Sequence, residues 1–251
     1  MKILLPLLFL VSLYAECELE TIANKYVNTK GDHDYLSIYD QYFSSKRNNK
    51  LTLLEIGFGA GGSASMWEEY FPEASLHYID NIDIDIHKVA HLSTRSHFHL
   101  GHQADESFLD SVVTQVEEFD IIIDDASHQM DDQIATLKYL FPYVKSGGVY
   151  VIEDLHTSYW QAFGGRGKPG SPRSSPNSTT EFLKKLVDKV NYVGAYIGCA
   201  NRDMAKIRVD LGVDQFGTYT FPKSFFEDLT IWERDIKSIH FYDSICFIFK
   251  R

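Results

Sequence analysis

The chain reads as α/β: a doubly wound, mostly parallel seven-stranded sheet ending in an antiparallel hairpin. Three observations predict it. From Leu51 onward, short apolar runs rich in β-branched residues alternate with segments of helical spacing. Runs that are apolar at nearly every position belong to parallel strands covered on both faces. The last two runs, Ile236 to Tyr242 and Ile245 to Phe249, are separated only by Asp243-Ser244. A parallel return needs a long crossover, so these two must pair antiparallel.

The elements follow in order. Met1-Lys2 opens an apolar run from Ile3 to Leu13 that ends near the small residue Ala15. A basic start, a short apolar stretch and a small residue are the anatomy of a secretory leader, so residues 1–15 are predicted to be a signal peptide. The run is too short for a membrane span, which needs roughly 20 residues. A cleaved leader would make the protein exported; an intact Met1 would leave it cytoplasmic. Residues 16–50 show helical spacing at Leu19, Ile22, Ala23 and Tyr26, then at Tyr35, Ile38, Tyr39 and Tyr42, and form a cap segment. Its end, from Ser44 to Lys50, reads as a charged linker.

Residues 51–251 are predicted to form the main domain. Strands are expected at Leu51–Ile56, Leu76–Ile79, His97–Leu100, Phe119–Ile123 and Val149–Ile152, followed by the two of the hairpin. Helices are expected from Ser63 to Phe71, from Asp80 to about Thr94, from Glu106 to Val116, from Asp132 to Tyr143 and from Glu181 to Val190. Lys145-Ser-Gly-Gly148 reads as a turn. Residues 163–180, rich in Gly, Ser and Pro, read as a flexible loop.

With 24 Lys+Arg against 35 Asp+Glu the net charge is −11. That balance argues against general binding to a nucleic-acid backbone, which needs clustered cations. Three cysteines, Cys17, Cys199 and Cys246, are too few and too scattered for a disulfide scaffold or a Cys-rich zinc site.

The first strand runs into Glu55-Ile-Gly57-Phe-Gly59-Ala-Gly61-Gly62. Glycines there permit a tight turn and close approach of a ligand to the backbone, as in Rossmann-like nucleotide sites. Asp80 ends the next strand, placed to accept hydrogen bonds from ribose hydroxyls. NAD and S-adenosylmethionine sites share these features. Two details favour the latter: Glu55 stands where a carboxylate can face the methionine ammonium, and no Lys-Ser/Thr follows to make a phosphate-cradling loop.

Two later strands end in acids. Ile121-Ile-Ile-Asp124-Asp125-Ala-Ser-His128 and Val149-Tyr-Val-Ile-Glu153-Asp154 leave the sheet at its carboxyl edge, where open α/β sheets bind ligands. Carboxylates gathered there would repel one another. A hard divalent cation resolves the repulsion, and oxygen ligands favour Mg²⁺ or Mn²⁺ over zinc. His128, four residues after Asp124, can reach back as a general base.

These residues resemble a known family. Leu54-Glu-Ile-Gly-Phe-Gly-Ala-Gly-Gly-Ser63, Ile79-Asp80, Phe119-Asp-Ile-Ile-Ile-Asp-Asp-Ala-Ser-His128, Tyr150-Val-Ile-Glu-Asp-Leu-His-Thr-Ser-Tyr-Trp160 and Ser238-Ile-His-Phe-Tyr-Asp-Ser244 are similar to blocks of the Mg²⁺-dependent macrolide-sugar O-methyltransferases of the mycinamicin and tylosin pathways, which have the class I methyltransferase fold. The resemblance implies Asp125, Glu153 and Asp154 as metal ligands and His128 as base. It implies Glu55, Gly57, Gly59, Asp80 and Gln103 at S-adenosylmethionine, with Asp124 on the cofactor side. This chain has His102 where the family carries an acid. It also lacks the length for the family's N-terminal auxiliary domain, so the macrolide substrate does not carry over.

The function expected is therefore S-adenosylmethionine-dependent O-methyl transfer to a sugar, glycoside or other diol. The partner is a small hydroxylated molecule, with self-association left open and neither nucleic acid nor a membrane span after leader removal. Two alternatives stand beside it: a cephalosporin-hydroxylase-like enzyme of the same fold, and an exported, non-catalytic binding protein. His97 and His99 read as a solvated strand edge, and Tyr159 and Trp160 as a wall for a ring or as core. Arg166, Lys168 and Arg173 could clamp an anion from the Gly-rich loop. Asn177-Ser-Thr179 is a glycosylation sequon that matters only in a eukaryotic secretory route.

Overall fold

The structure, a computed structural model, describes residues 17–81, 92–165, 174–191 and 229–251. The proposed leader, residues 82–91 of the helix expected between Asp80 and Thr94, and the loop cations Arg166, Lys168 and Arg173 lie outside the described residues.

Seven strands form one sheet: β1 (Thr52–Ile56), β2 (Ser75–Asp80), β3 (Ser96–Leu100), β4 (Phe119–Asp124), β5 (Val144–Ile152), β6 (Ile236–Phe241) and β7 (Cys246–Lys250). Their order is β3-β2-β1-β4-β5-β7-β6. The first five run parallel, while β7 pairs antiparallel with both β5 and β6. The order reverses between β1 and β4, the switch point at which a doubly wound sheet opens a crevice.

Seven helices are described: α1 (Glu18–Ala23), α2 (Tyr35–Phe43), α3 (Gly62–Tyr70), α4 (Glu106–Val116), α5 (Met130–Leu140), α6 (Thr179–Val190) and α7 (Ile231–Asp235). Alternate residues of the strands feed opposite sides. Leu53, Ile121, Ile123, Val151 and Phe247 pack on one side with Leu19, Ile22, Tyr35, Tyr39 and Phe43 of the cap segment and with Trp67 of α3. Leu54, Ile56, Ile122, Tyr150 and Ile152 pack on the other with Leu109, Val112, Leu137, Leu140 and Leu183 of α4, α5 and α6. The cap segment thus shares a continuous apolar cluster with the sheet.

Two elements differ from the pattern read in the sequence. Lys145–Gly148, read as a turn, lies inside the span of β5. Val144 pairs with Phe119 and the register then slips before Val149 pairs with Ile121, so the intervening residues bulge from the ladder, with Gly147 at φ +79°. The helix expected over Asp132–Tyr143 starts at Met130 and ends at Leu140, and Phe141–Tyr143, with Pro142 in it, continues as a 3₁₀ turn. Proline has no amide to donate to an α-helical ladder.

Candidate active site

Register brings the chemistry together. Ile56 lies opposite Asp124 across β1 and β4, and Asp124 lies opposite Ile152 across β4 and β5. The glycine turn, the Asp124-Asp125 pair and the Glu153-Asp154 pair therefore leave three neighbouring strands at one edge.

The turn is fixed by close backbone approach. Gly57 has φ +99°, and a Cβ there would sit 2.0 Å from the carbonyl oxygen of Asp125. Gly62 is equally constrained: its Cβ would fall 1.7 Å from the carbonyl of Val27. Asp80 braces the turn, its Oδ2 accepting from the amides of Phe58 at 3.0 Å and Gly59 at 3.1 Å. Beside it opens a cavity of about 260 Å³ lined by Gly57, Gly59, Asp80, Gln103, Asp125 and Ser127, among others. Gln103 is buried and fixed at three points: its Nε2 donates to Asp124 and Thr136, and its Oε1 accepts from the amide of Ser127 at 2.9 Å. His102 also lines the cavity.

Asp124 and Glu55, both expected at the cofactor, are fully buried and do not line that cavity. Asp124 is fully buried, which pushes its carboxyl up to about 7 despite hydrogen bonds from Tyr150 and Gln103. Glu55 is buried too, and its carboxyl is raised by that burial against the pull of Lys30. Ser63 donates to Glu55 Oε2 at 2.8 Å and the Trp67 indole to Oε1 at 3.2 Å.

Asp125, His128 and Asp154 converge. One ligand atom from each lies within 4.8 Å of the others. His128 Nε2 is 3.4 Å from Asp154 Oδ2, and its Nδ1 is buried with no hydrogen-bond partner among the described residues. Both residues hold left-handed backbone, His128 at φ +55° and Asp154 at φ +57°. Such geometry in residues with side chains is uncommon and clusters at functional sites. Asp125 and Asp154 offer the carboxylate oxygens that a hard divalent cation takes, with the His128 imidazole beside them. Tyr35 donates its hydroxyl to Asp154 Oδ1 at 3.0 Å.

Glu153 stands apart from that trio. Its Oε1 accepts from Lys30 Nζ at 2.6 Å and from the Tyr39 hydroxyl at 2.5 Å. Lys30, Tyr35 and Tyr39 were not legible as site residues. All three come from the cap segment, and only the fold carries them to strands more than ninety positions away. The aromatic spacing of Tyr35 and Tyr39 signalled a buried helix face, not the hydroxyls at its end.

The neighbouring surface is aromatic. The His33 and His156 rings stack at 5.6 Å, and Trp160, half exposed, meets His156 edge-on at 4.6 Å. At the far sheet edge His77 stacks on His97 at 4.7 Å and its Nδ1 is 3.1 Å from His99 Nε2. Those three do not gather into a metal-sized cluster with the other described residues. None of the described helices is long and apolar enough to cross a membrane.

No protein-family model matches the chain. It is 33% identical over 184 residues to mycinamicin VI 2''-O-methyltransferase of Micromonospora griseorubida, covering 70% of this chain and 44% of that protein. It is 34% identical over 196 residues to L-olivosyl-oleandolide 3-O-methyltransferase of Streptomyces antibioticus, covering 74% and 49%. Among solved structures it superimposes on the MycE methyltransferase of the mycinamycin pathway in complex with Mg and SAH, with TM-score 0.72 and 28% identity over 94% of this chain and 55% of that one. The matched segments cover less than half of these curated relatives.

Proposed function

We propose, for a chain that belongs to the class I S-adenosylmethionine-dependent methyltransferases, that it transfers a methyl group from S-adenosylmethionine to a hydroxyl of a sugar, glycoside or related diol with the help of Mg²⁺ or Mn²⁺. The observation that carries this reading is the placement of Asp125, His128 and Asp154 beside a glycine-lined cavity at the switch point of the sheet. Similarity to sugar O-methyltransferases supports it over the hydroxylase and binding-protein alternatives.

In this reading Asp80 and the turn Gly57–Gly59 receive the ribose, Gln103 borders the adenine, and Glu55, buried against Lys30, Ser63 and Trp67, acts on the methionine ammonium only from behind the turn. Asp124 lies beneath them and fixes Gln103. Asp125 and Asp154 supply the carboxylates for the cation, and Glu153, the third acid expected to hold it, is engaged by Lys30 and Tyr39 beside them. A bound divalent cation would acidify a chelated hydroxyl and fix its orientation. His128 then takes the hydroxyl proton at Nε2, and Asp154, 3.4 Å away, stabilises the imidazolium that forms. The walls of the crevice hold donor and acceptor in line, the positioning that a reaction between two bound molecules depends on.

The test is calorimetric titration of S-adenosylmethionine with and without Mg²⁺ on the wild type and on Asp125→Ala, followed by product detection on a panel of glycosides and catechols. Cofactor binding, with product formed only when Mg²⁺ and Asp125 are present, is the expected result. A wild type that binds no S-adenosylmethionine in either condition would overturn the reading. The leader is a separate proposal: N-terminal sequencing of the natural protein should find a start after Ala15, and an intact Met1 would refute it.

A further inference from the structure

One positive charge is already built into the acid cluster. Lys30 is 2% exposed, and its ammonium lies 2.6 Å from Glu153 Oε1, 2.8 Å from Asp125 Oδ2 and 3.1 Å from Glu55 Oε1. An ammonium has three protons, and three carboxylates surround this one. Lysine is rarely buried this completely without such pairing.

The segment that delivers Lys30 is fastened on both sides. Before it, Tyr26 donates its hydroxyl to Glu69 at 2.9 Å, Asn28 Nδ2 donates to the carbonyls of Ala23 and Tyr26, and Val27 presses its carbonyl against Gly62. After it, the amide of Tyr35 donates to the Lys30 carbonyl at 3.1 Å, which ties the strap to the start of α2. The ammonium is therefore held in place by the backbone as well as by its partners.

We propose that Lys30 is a tethered cation of the active site, which takes Glu153 as its counter-ion and limits the acid cluster to one divalent cation, held by Asp125 and Asp154. This rests on the cation-site reading given above. Glu55, Asp125, Glu153 and Asp154 together carry more negative charge than a single bound Mg²⁺ would offset. Without Lys30, the three carboxylates around it would attract a second cation or bind the first more tightly. With Lys30, Asp125 is shared between the ammonium and the ion, and Glu153 is drawn toward the cap segment by Lys30 and Tyr39. Lys30 is in this sense a positioning residue, acting through the carboxylates it touches.

The experiment measures Mn²⁺ binding to the full chain by calorimetry and by the paramagnetic signal of free Mn²⁺, with no cofactor or acceptor present. Lys30→Met is expected to bind Mn²⁺ about tenfold more tightly than the wild type or to take up a second ion, since a unit charge a few ångströms from a ligand changes affinity at least that much. Its melting temperature should be depressed without metal and recover on adding Mn²⁺ by more than the wild type gains. A double variant, Lys30→Met with Glu153→Gln, removes one charge of each sign and should return to wild-type affinity; it also guards against a single variant that folds poorly. Lys30→Met with unchanged affinity and stoichiometry, or a double variant that binds as tightly as the single one, would overturn the proposal. Asp154→Asn separates the two readings. If it abolishes Mn²⁺ binding while Lys30→Met behaves as wild type, only the role of Lys30 falls. If Asp154→Asn binds like the wild type, the cation site and the role of Lys30 fall together.

Discussion

A Cβ on Gly57 would sit 2.0 Å from the carbonyl oxygen of Asp125, so the turn that follows β1 and the acid that follows β4 are packed backbone against backbone. The Asp125 amide reinforces the contact by donating to the Ile56 carbonyl at 2.9 Å. Cofactor turn and cation ligand are thus one mechanical unit. Gly57→Ala should cost about 2–4 kcal/mol or prevent folding, because neither backbone can yield cheaply and φ +99° is strained for any side chain. Gly59→Ala is the control. It also has positive φ, but a Cβ there meets nothing within 4 Å, so it should cost only about 1 kcal/mol. Urea denaturation of both variants decides it, and equal losses would show that the contact with Asp125 is unimportant.

Asp80 has two tasks that a pair of substitutions can separate. Its Oδ2 accepts from the amides of Phe58 and Gly59, and the reading above also gives it the ribose. Asp80→Ala should lose about 1–2 kcal/mol of stability from the unmet amides and weaken S-adenosylmethionine binding at least about tenfold. Asp80→Asn keeps an acceptor oxygen for the turn, so it should restore most of the stability and less of the affinity. If the two variants bind the cofactor as the wild type does, Asp80 serves the turn alone.

The parallel sheet and its hairpin were legible because apolar runs and turn residues carry the period of a strand and its boundaries. Glu55, Asp80, Asp125, Glu153 and Asp154 could be singled out because each stands at or beside a strand end, and His128 because it follows the Asp124-Asp125 pair within one turn of chain. Lys30 could not. It sits in Asn28-Thr-Lys-Gly-Asp32, a polar stretch that resembles any surface loop, and its burial depends on partners up to 123 positions away. The same holds for the separation of Glu153 from the Asp125, His128 and Asp154 trio. Adjacent acids in the chain point to different neighbours, and here the neighbours are the cap-segment residues Lys30, Tyr39 and Tyr35.

His128→Gln isolates the proton-transfer step. The side chain keeps a polar group in a similar volume but cannot accept the proton. Turnover should fall about 10²–10⁴-fold, the usual contribution of a positioned general base. Affinity for S-adenosylmethionine, measured by calorimetry, should be unchanged because His128 is not among the residues assigned to the cofactor. A parallel loss of cofactor binding would make His128 a structural residue instead of a base.

His77, on β2 beside His97 and His99 of β3, gives a stability prediction. Burial, with smaller contributions from His97 and His99, lowers its imidazole to about 4, below the ordinary 6.5. The unfolded chain therefore binds the proton more readily than the folded one between those two values. Stability from the neutral ring is fully present above pH 6.5 and is lost as pH falls toward 4. Allowing for solvent screening at a partly covered edge, the loss should be about 1–2 kcal/mol. Asp124 works in the other sense, since burial raises its carboxyl to about 7 and favours the folded state at low pH. The difference between two curves removes that opposing contribution. Wild type and His77→Asn are unfolded in urea at half-unit steps from pH 7.5 to 4, and the variant's stability should fall less steeply between 6.5 and 4. Parallel curves over that window would show that burial does not hold the ring of His77 neutral.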